Sequence, residues 1–416
     1  MREGWKSAKL GEVSEMIKRG IAPKYTDAGG VCVINQKCVR DHSINYALAR
    51  RHDVDAKKVP QERLIQLGDV LVNSTGTGTL GRVAQVRSEP SESATVDTHV
   101  TIVRPADGLF YHDFFGYMLI KIEDEIISSG EGASGQTELP RQKLESQFLV
   151  SFPESIEEQK RIVAILDEAF EGIDTVVANT EKNLANAREL FESYLNSGFS
   201  HRGVGWNNKK LSDLGNITSS KRIFKSEYTE SGVPFFRTKE IKELAHGQAI
   251  SKPLFISKKR YVEIKSKHGV PEVDDILITA IGTIGEVYVV DNNDEFYFKD
   301  GNVLWLKDFK NINSSFLKYA LICFVENLKR ISRGSAYNAL PIEKLKQYEV
   351  PVPSCDEQEK LSSTFDELSH EAQRLEFIYQ QKLAALAELK QSLLQKAFSG
   401  ELTAREAETA VEEAIG

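Results

Sequence analysis

The stretch Gly76-Thr77-Gly78-Thr79-Leu80-Gly81 follows a strand-like run from Asp69 to Val72 and has the GxGxxG spacing that brings backbone amides against a pyrophosphate. That chemistry also requires a helix to begin at the motif, because the helix N-terminus supplies the positive end that holds the phosphate. Here the chain continues as Arg82-Val83-Ala84-Gln85-Val86, an alternation with the period of a strand. The segment therefore predicts a tight strand-to-strand turn in which glycine permits positive φ. The small residues Thr75, Thr77 and Thr79, together with Arg82, are then candidates to approach a ligand closely, as is Thr283 in a similar turn later in the chain. Other catalytic patterns fail. No Gly-Lys pair occurs, which excludes a Walker A loop, and Glu263-Ile264-Lys265 resembles the end of a nuclease site without a suitably placed preceding aspartate. No Asp-Pro-Pro-Tyr or Asn-Pro-Pro-Phe tetrapeptide is present for amino-methylation of a base. The four cysteines, Cys32, Cys38, Cys323 and Cys355, form no CxxC pair and read as core residues, and the eight histidines form no HExxH. Neither a metal, nor a cofactor, nor a catalytic centre is expected on this chain.

The chemistry the residues do offer is phosphate and base-edge contact. Basic side chains interleave with aromatic or polar ones at Lys18-Arg19 with Lys24-Tyr25, at Arg50-Arg51-His52, at Lys221-Arg222 with Lys225, and at Lys258-Lys259-Arg260-Tyr261 with Lys265 and Lys267-His268. Gln136-Thr137, just before Leu139-Pro140, adds an amide and a hydroxyl of the size that enters a groove. Any one such group is more often plain solvated surface than a phosphate anchor; their recurrence in both halves is what favours a nucleic acid. The net charge of −8 argues the other way until it is divided. Residues 1–150 hold 19 basic against 20 acidic side chains, 151–200 hold 4 against 10, 201–354 hold 24 against 18, and 355–416 hold 6 against 13. The acidity sits in two short stretches, and the larger segments are neutral or basic.

These groups are positioned by a chain of 416 residues that is one unit written twice, at an offset near 200. Gly4-Trp5 with Leu10-Gly11-Glu12-Val13 returns as Gly205-Trp206 with Leu211-Ser212-Asp213-Leu214. Asp69-Val70-Leu71-Val72 before Gly78-Thr79-Leu80-Gly81 returns as Asp275-Ile276-Leu277-Ile278 before Gly282-Thr283-Ile284-Gly285. Leu139-Pro140 with Lys143-Leu144 matches Leu340-Pro341 with Lys344-Leu345, and Glu158-Gln159 before Leu166-Asp167 matches Glu357-Gln358 before Phe365-Asp366. Each unit has an irregular α+β part followed by a tail of helical periodicity. The strand-like runs include Val31–Ile34, Val70–Val72, Val100–Val103, Ile276–Thr279 and Val303–Leu306, and the spans Tyr111–Ile127 and Ser315–Ile331 read as amphipathic helices. In the tails, Leu166, Phe170, Ile173, Val177, Thr180, Leu184, Ala187, Phe191 and Tyr194, and later Phe365, Leu368, Ala372, Leu375, Tyr379, Leu383, Leu386 and Leu393, form two seams. At ~1.5 Å per residue each tail is a rod of about 65 Å, too long for one small domain to cover, so each is the other's natural partner. An antiparallel pair returns the chain toward its start and relates the two units by an approximate two-fold axis. The longest apolar run, Tyr319–Val325, is far below the ~18 residues of a membrane span, and the N-terminus has no apolar signal core, which predicts a cytoplasmic protein without a membrane partner.

The paired Trp…Leu-Gly/Ser-Glu/Asp starts, the Gly-Thr-Leu-Gly and Gly-Thr-Ile-Gly turns, and the Leu-Pro…Pro…Glu-Gln approaches to the long helices together resemble the specificity subunit of type I restriction-modification enzymes over nearly the whole length. The closing Leu394-Gln395-Lys396-Ala397-Phe398-Ser399-Gly400-Glu401-Leu402 resembles the family's helix end. The resemblance implies an α+β fold of two tandem target recognition domains joined by two long antiparallel coiled-coil helices. On this chain these would be domain 1 at 1–152, a connecting helix at 153–200, domain 2 at 201–353, a second helix at 354–402 and an acidic tail at 403–416. It also implies that each domain reads one half of a split, asymmetric site in double-stranded DNA. Two methyltransferase subunits holding S-adenosylmethionine, and restriction subunits holding ATP, would be the partners. One departure is that the first domain is not net basic, so its grip on phosphates must rest on local patches. The competing readings are a coiled-coil scaffold that touches no DNA, and a stand-alone methyltransferase or nuclease, against which the missing catalytic tetrapeptides count.

Overall fold

The computed structural model describes residues 4–132, 137–200, 203, 205–251, 253–331 and 339–403. Gln136 and the tail beyond Thr403 lie outside the described residues. The contacts divide the chain into two compact units, one of residues 1–180 with 381–416 and the other of residues 181–380. Each unit therefore contains the start of one long helix and the end of the other, which makes the two helices antiparallel.

The first unit is built on a four-stranded antiparallel sheet in the order Ser14–Arg19, Val100–Pro105, Val70–Asn73, Val83–Gln85. Alternation sends its side chains to two separate cores. Val70, Val72 and Val103 face helix His112–Lys121 and the long helices, while Leu71, Ile102 and Ala84 face a second sheet. A sheet covered on both faces explains why these strands read as unbroken apolar runs. The second sheet runs Ala94–Val96, Val31–Ile34, Arg50–His52, Tyr25–Thr26, with a parallel pairing between its first two strands. A two-stranded ribbon of Trp5–Lys9 and Leu149–Pro153 closes the base beside the long helix Ile156–Ser200.

The second unit repeats this topology strand for strand. Its central sheet has the order Asn216–Ser219, Val303–Lys307, Ile276–Thr279, Val287–Val289. The second sheet runs Tyr228–Thr229, Leu254–Ile256, Val233–Phe236, Tyr297–Phe298, with the last two parallel. The ribbon is Asn207–Lys210 with Glu349–Val352, beside the long helix Cys355–Ser399. The expected repeat is therefore one of three-dimensional structure. The two copies differ in the excursions from the second sheet. Helices Thr238–Ala245 and Lys258–His268 stand where the first unit has a short hairpin, Val39–Arg40 with Ser43–Ile44, and 3-10 turns at Tyr46–Leu48 and Gln61–Arg63.

The helical seams hold within each unit. In the first, Ile162, Val163 and Leu166 share a core with Leu394, Ala397, Phe398 and Leu402, and Lys390 pairs with Asp174. Leu402 thus lies in the same core as Trp5, as the antiparallel geometry requires. In the second, Phe365 stacks on Phe199 at 5.6 Å and Arg188 pairs with Glu376 at 3.1 Å.

Three expectations need correction. Tyr194 is 47% exposed, and the seam passes through Leu195, 2% exposed, because the steps Phe191, Leu195, Phe199 keep to one face of a 3.6-residue helix. Leu375 is likewise 37% exposed. The helix expected over Tyr111–Ile127 is broken at Ile122 into His112–Lys121 and Glu123–Ser128, which lets Ile122 and Ile126 both enter the core. Cys355 is exposed at the start of the second long helix, whereas Cys32, Cys38 and Cys323 are buried as expected.

Candidate nucleic-acid interface

The glycine turn of the first unit is a hairpin: Val70–Asn73 pairs antiparallel with Val83–Gln85, and no helix follows. Gly76, Gly78 and Gly81 all have positive φ, at 109°, 75° and 84°. Gly81 is required twice over, because a Cβ there would stand 2.5 Å from Ile127 Cγ1. The turn and the Leu-Pro loop form one surface. Thr75 bridges to Glu138, and Leu139 N–H donates to Ser74 O at 2.8 Å. The second unit does the same, with a bridge from Ile281 to Ala339 and Leu340 N–H donating to Ala280 O at 2.8 Å. Two motifs far apart in sequence are thereby placed side by side in both copies.

A recess of about 380 Å³ lies next to the first turn, lined by Tyr25, Gln36, Lys37, Arg50, Asp97 and His99 among others. The Arg50 guanidinium sits 3.4 Å from the centre of the Tyr25 ring. Thr75 Oγ1 and His99 Nδ1 are 2.7 Å apart, and Thr79 Oγ1 donates to Gln36 Oε1 at 3.2 Å. Asp97 is 4% exposed and accepts from His99 N–H at 2.9 Å; burial pushes its carboxyl above the ordinary range. Thr77 is exposed at the tip of the turn, and Arg82 Nη2 donates back to Gly78 O at 2.9 Å, bracing it. Thr137 is half-buried beside Gly130. The recess offers a stacked cation, an imidazole and an amide on one concave face, with the Thr75 and Thr79 hydroxyls bonded to its His99 and Gln36, the complement a nucleotide's phosphate and base edge would meet.

The remaining candidates divide by their neighbours. Arg19 donates to Leu139 O at 2.9 Å and pairs with Glu138 at 2.6 Å, so it holds the Leu-Pro loop in place. Lys18 is half-buried on the same strand. Arg51 pairs with Glu92 at 2.5 Å, Arg222 with Asp300 at 2.8 Å, and Arg260 with Glu227 at 2.8 Å and Glu263 at 3.3 Å. Lys258 pairs with Glu295. Lys225 and Lys259 are exposed, as is Lys221, whose backbone N–H donates to the Tyr297 hydroxyl at 2.6 Å. Thr283 is exposed, and its carbonyl accepts from Thr279 Oγ1 at 2.5 Å, so the shorter second turn is closed on itself. Sequence reasoning missed Gln36, Asp97 and His99. Gln36 was signalled only by the polar run Asn35-Gln36-Lys37 at the end of a buried strand, and Asp97 and His99 by nothing local. Among the described residues no group of three or more His, Cys, Asp or Glu side chains is arranged to hold a metal, and no helix is long and apolar enough to cross a membrane.

A protein-family model described as the type I restriction modification DNA specificity domain matches residues 2–184 and again residues 203–381. The chain is 31% identical over 160 residues to a putative type I restriction enzyme specificity subunit of Haemophilus influenzae, a match covering 38% of each protein. It is 25% identical over 327 residues to the type I restriction enzyme EcoBI specificity subunit of Escherichia coli, covering 71% of this chain and 66% of that one. The chain thus spans 38% and 66% of the length of these relatives. A chain from a structure of complex assembly and conformational transition in a type I restriction-modification system superposes with a TM-score of 0.76 at 18% identity, covering 97% of this chain and 99% of that one. The HsdS subunit from Thermoanaerobacter tengcongensis superposes with a TM-score of 0.54 at 19% identity, covering 97% and 98%. At these identities the structural likeness speaks to the fold.

Proposed function

Since the chain belongs to the family of type I restriction-modification DNA specificity proteins, we propose that it is the non-catalytic, sequence-reading subunit of such an enzyme. Each α+β unit reads one half of a bipartite, asymmetric site in double-stranded DNA, and the paired helices set the spacer and dock two methyltransferase subunits. S-adenosylmethionine and ATP are bound by the modification and restriction partners, and the complex works in the cytoplasm. The observation that carries this reading is the duplication: one family model matched twice, on two units of the same sheet topology whose excursions differ. A shared frame with divergent excursions is what two readers of two different half-sites need.

Two further features support it. The recess beside the first glycine turn gathers Arg50, His99 and Gln36 on one face. On the helices of the second unit, Leu190 is 70% exposed, Phe377 63% and Ile378 44%, apolar side chains that a docking subunit would cover. The test is a chimaera. Replacing residues 1–150 with the matching part of another family member, co-expressed with its methyltransferase subunit, should change one half of the methylated sequence and leave the other half intact. Alteration of both halves would refute the two-reader assignment, and methylation without this chain would refute the function.

A further inference from the structure

The recess beside the first hairpin turn holds a buried acceptor that the fold leaves unused. Asp97 lines it and is 4% exposed. Its Oδ1 accepts from His99 N–H at 2.9 Å, while its Oδ2 has no hydrogen-bond donor among the described residues. A buried carboxylate oxygen without a donor is costly to keep, which points to a donor supplied from outside the chain.

The rest of the lining is rich in donors. Arg50 and Lys37 are exposed, and neither forms a salt bridge among the described residues; Arg50 is held over the Tyr25 ring, 3.4 Å from its centre. Gln36 Oε1 accepts from Thr79 Oγ1 at 3.2 Å, and the Gln36 Nε2 makes no hydrogen bond among the described residues. The second unit does not repeat the acceptor. Val96 pairs in parallel with Ile34 as Phe298 does with Phe236, and the next residue in each unit donates its N–H back across the pair, Asp97 to Ile34 O at 3.0 Å and Lys299 to Phe236 O at 2.8 Å. At one register the first unit has a carboxylate and the second an ammonium, so the feature belongs to the first unit alone.

We propose that the recess is a subsite for one nucleotide whose base is adenine or cytosine, with Asp97 Oδ2 accepting from the exocyclic amine and Arg50 and Lys37 answering the phosphate. The mixture of charges selects this occupant. A simple anion would meet the carboxylate and a simple cation would meet the arginine and the lysine, whereas a nucleotide carries a negative phosphate at one end and N–H donors at the other. The number of acceptors selects the base. Adenine and cytosine present one amine beside a ring nitrogen that accepts, which suits a single free carboxylate oxygen among donors such as the Gln36 amide. Guanine presents two adjacent N–H donors that want both oxygens of a carboxylate, and His99 already holds one. Thymine has a single N–H between two carbonyls. The volume of about 380 Å³ is within the range of small-ligand sites. As part of DNA the base must turn out of the stack to reach so buried a carboxylate, and a free nucleotide offers the same chemistry. DNA as the source rests on the function proposed above; the amine chemistry does not.

The test uses the full-length chain. In NMR titrations dAMP or dCMP should give saturable shifts at His99 and Gln36, with dGMP and TMP at least tenfold weaker. Asp97→Asn keeps the acceptor for His99 N–H and puts an N–H2 in place of Oδ2, so it should melt as wild type does and reverse that ranking. In the second arm the complex with the methyltransferase subunit meets its own recognised DNA, with each adenine and cytosine of the half-site read by the first unit replaced in turn by an analogue lacking the amine. One replacement should weaken binding at least tenfold in wild type and less than twofold in Asp97→Asn. An amine effect confined to DNA assigns the recess to a base of the bound DNA, one confined to the mononucleotides assigns it to a free nucleotide, and one in both supports a subsite open to either. An amine effect in neither arm overturns the subsite, and dGMP binding as well as dAMP and dCMP overturns the choice of base. If the wild-type complex binds no DNA, the proposed function falls and the mononucleotides alone decide the subsite.

Discussion

Replacing Gln159 with alanine should unfasten the base of the first unit. Gln159 is wholly buried in the first turn of helix Ile156–Ser200. Its Nε2 donates to Pro153 O at 2.9 Å and to Leu109 O at 3.2 Å, and its Oε1 accepts from Tyr111 N–H at 2.8 Å. One side chain therefore joins the end of the ribbon strand, the loop before helix His112–Lys121 and the long helix. Gln159→Ala strands one N–H and two carbonyls away from water. At about 1–3 kcal/mol for each stranded buried group, and with water able to enter the space and serve part of them, the loss is about 3–5 kcal/mol. Gln159→Glu should be no milder, because it keeps the acceptor for Tyr111 but turns a carboxylate oxygen toward two carbonyls. Gln358 makes the same staple in the second unit, to Pro353 O at 3.0 Å, to Asn311 O at 3.5 Å and from Asn313 N–H at 2.8 Å, with one longer bond and so a somewhat smaller expected loss. Hydrogen exchange in mild denaturant, read on peptides covering 104–122 and 149–170 for one unit and 303–325 and 349–370 for the other, measures each unit in the same molecule. Gln159→Ala should speed exchange in the first set and spare the second, and Gln358→Ala should do the reverse. A loss below about 1 kcal/mol, or equal acceleration in both sets, would refute the staple.

Arg104 pairs with the buried Asp69 through contacts of 2.8 and 2.7 Å, and burial holds the Asp69 carboxyl above its ordinary range in spite of that arginine. Arg104→Met should cost about 3–5 kcal/mol at neutral pH and raise Asp69 further; the folded chain then keeps a proton that the unfolded chain has released, so stability should fall as pH rises from the unfolded value through the folded one. Urea unfolding from pH 4 to 7 checks the sign, and a variant that runs parallel to wild type across that range would contradict it. Gly81→Ala meets both a positive φ of 84° and a contact of 2.5 Å, whereas Gly78→Ala, at φ 75°, meets nothing within 4 Å. Losses of about 2–5 and about 1 kcal/mol respectively should appear in thermal unfolding, and equal losses would mean that Ile127 yields freely. Arg50→Ala and Thr79→Ala should each weaken specific DNA binding by about tenfold in the assembled complex, Arg50→Ala also lowering its salt dependence; unchanged affinity would return the recess to a purely structural role.

How much of this could be read from residues alone depended on the distance over which each property is decided. The strands were legible because both of their faces are buried, which leaves uninterrupted runs such as Val70–Asn73 and Ile276–Thr279. The long helices were legible from their period, but the seam drifted: a heptad reading that places Tyr194 inside accumulates the difference between 3.5 and 3.6 residues per turn until Leu195 is the buried neighbour. The basic clusters were the least legible. Sequence reports charge and not partners, and Arg19, Arg51, Arg222, Lys258 and Arg260 each meet a carboxylate of their own unit. The recess residues Gln36 and His99 come from strand ends far apart in the chain, and no local pattern announces that they converge.

What the two copies share and where they part also argues about the division of labour. The shared bonds are the glutamine staples, the tyrosine-aspartate pairs and the ribbons beside the long helices, together with the Leu-Pro loops against the hairpin turns. A core contact of this kind constrains several elements at once, so a change in one copy is felt through the whole unit. The excursions from the second sheets take no part in those bonds, although Val39, Ile241, Tyr261 and Ile264 anchor them in neighbouring cores, and there the units diverge, with a hairpin and Asn35-Gln36-Lys37 in one and helices Thr238–Ala245 and Lys258–His268 in the other. Under the proposed function this is the required arrangement, since assembly must treat both halves alike while reading must not.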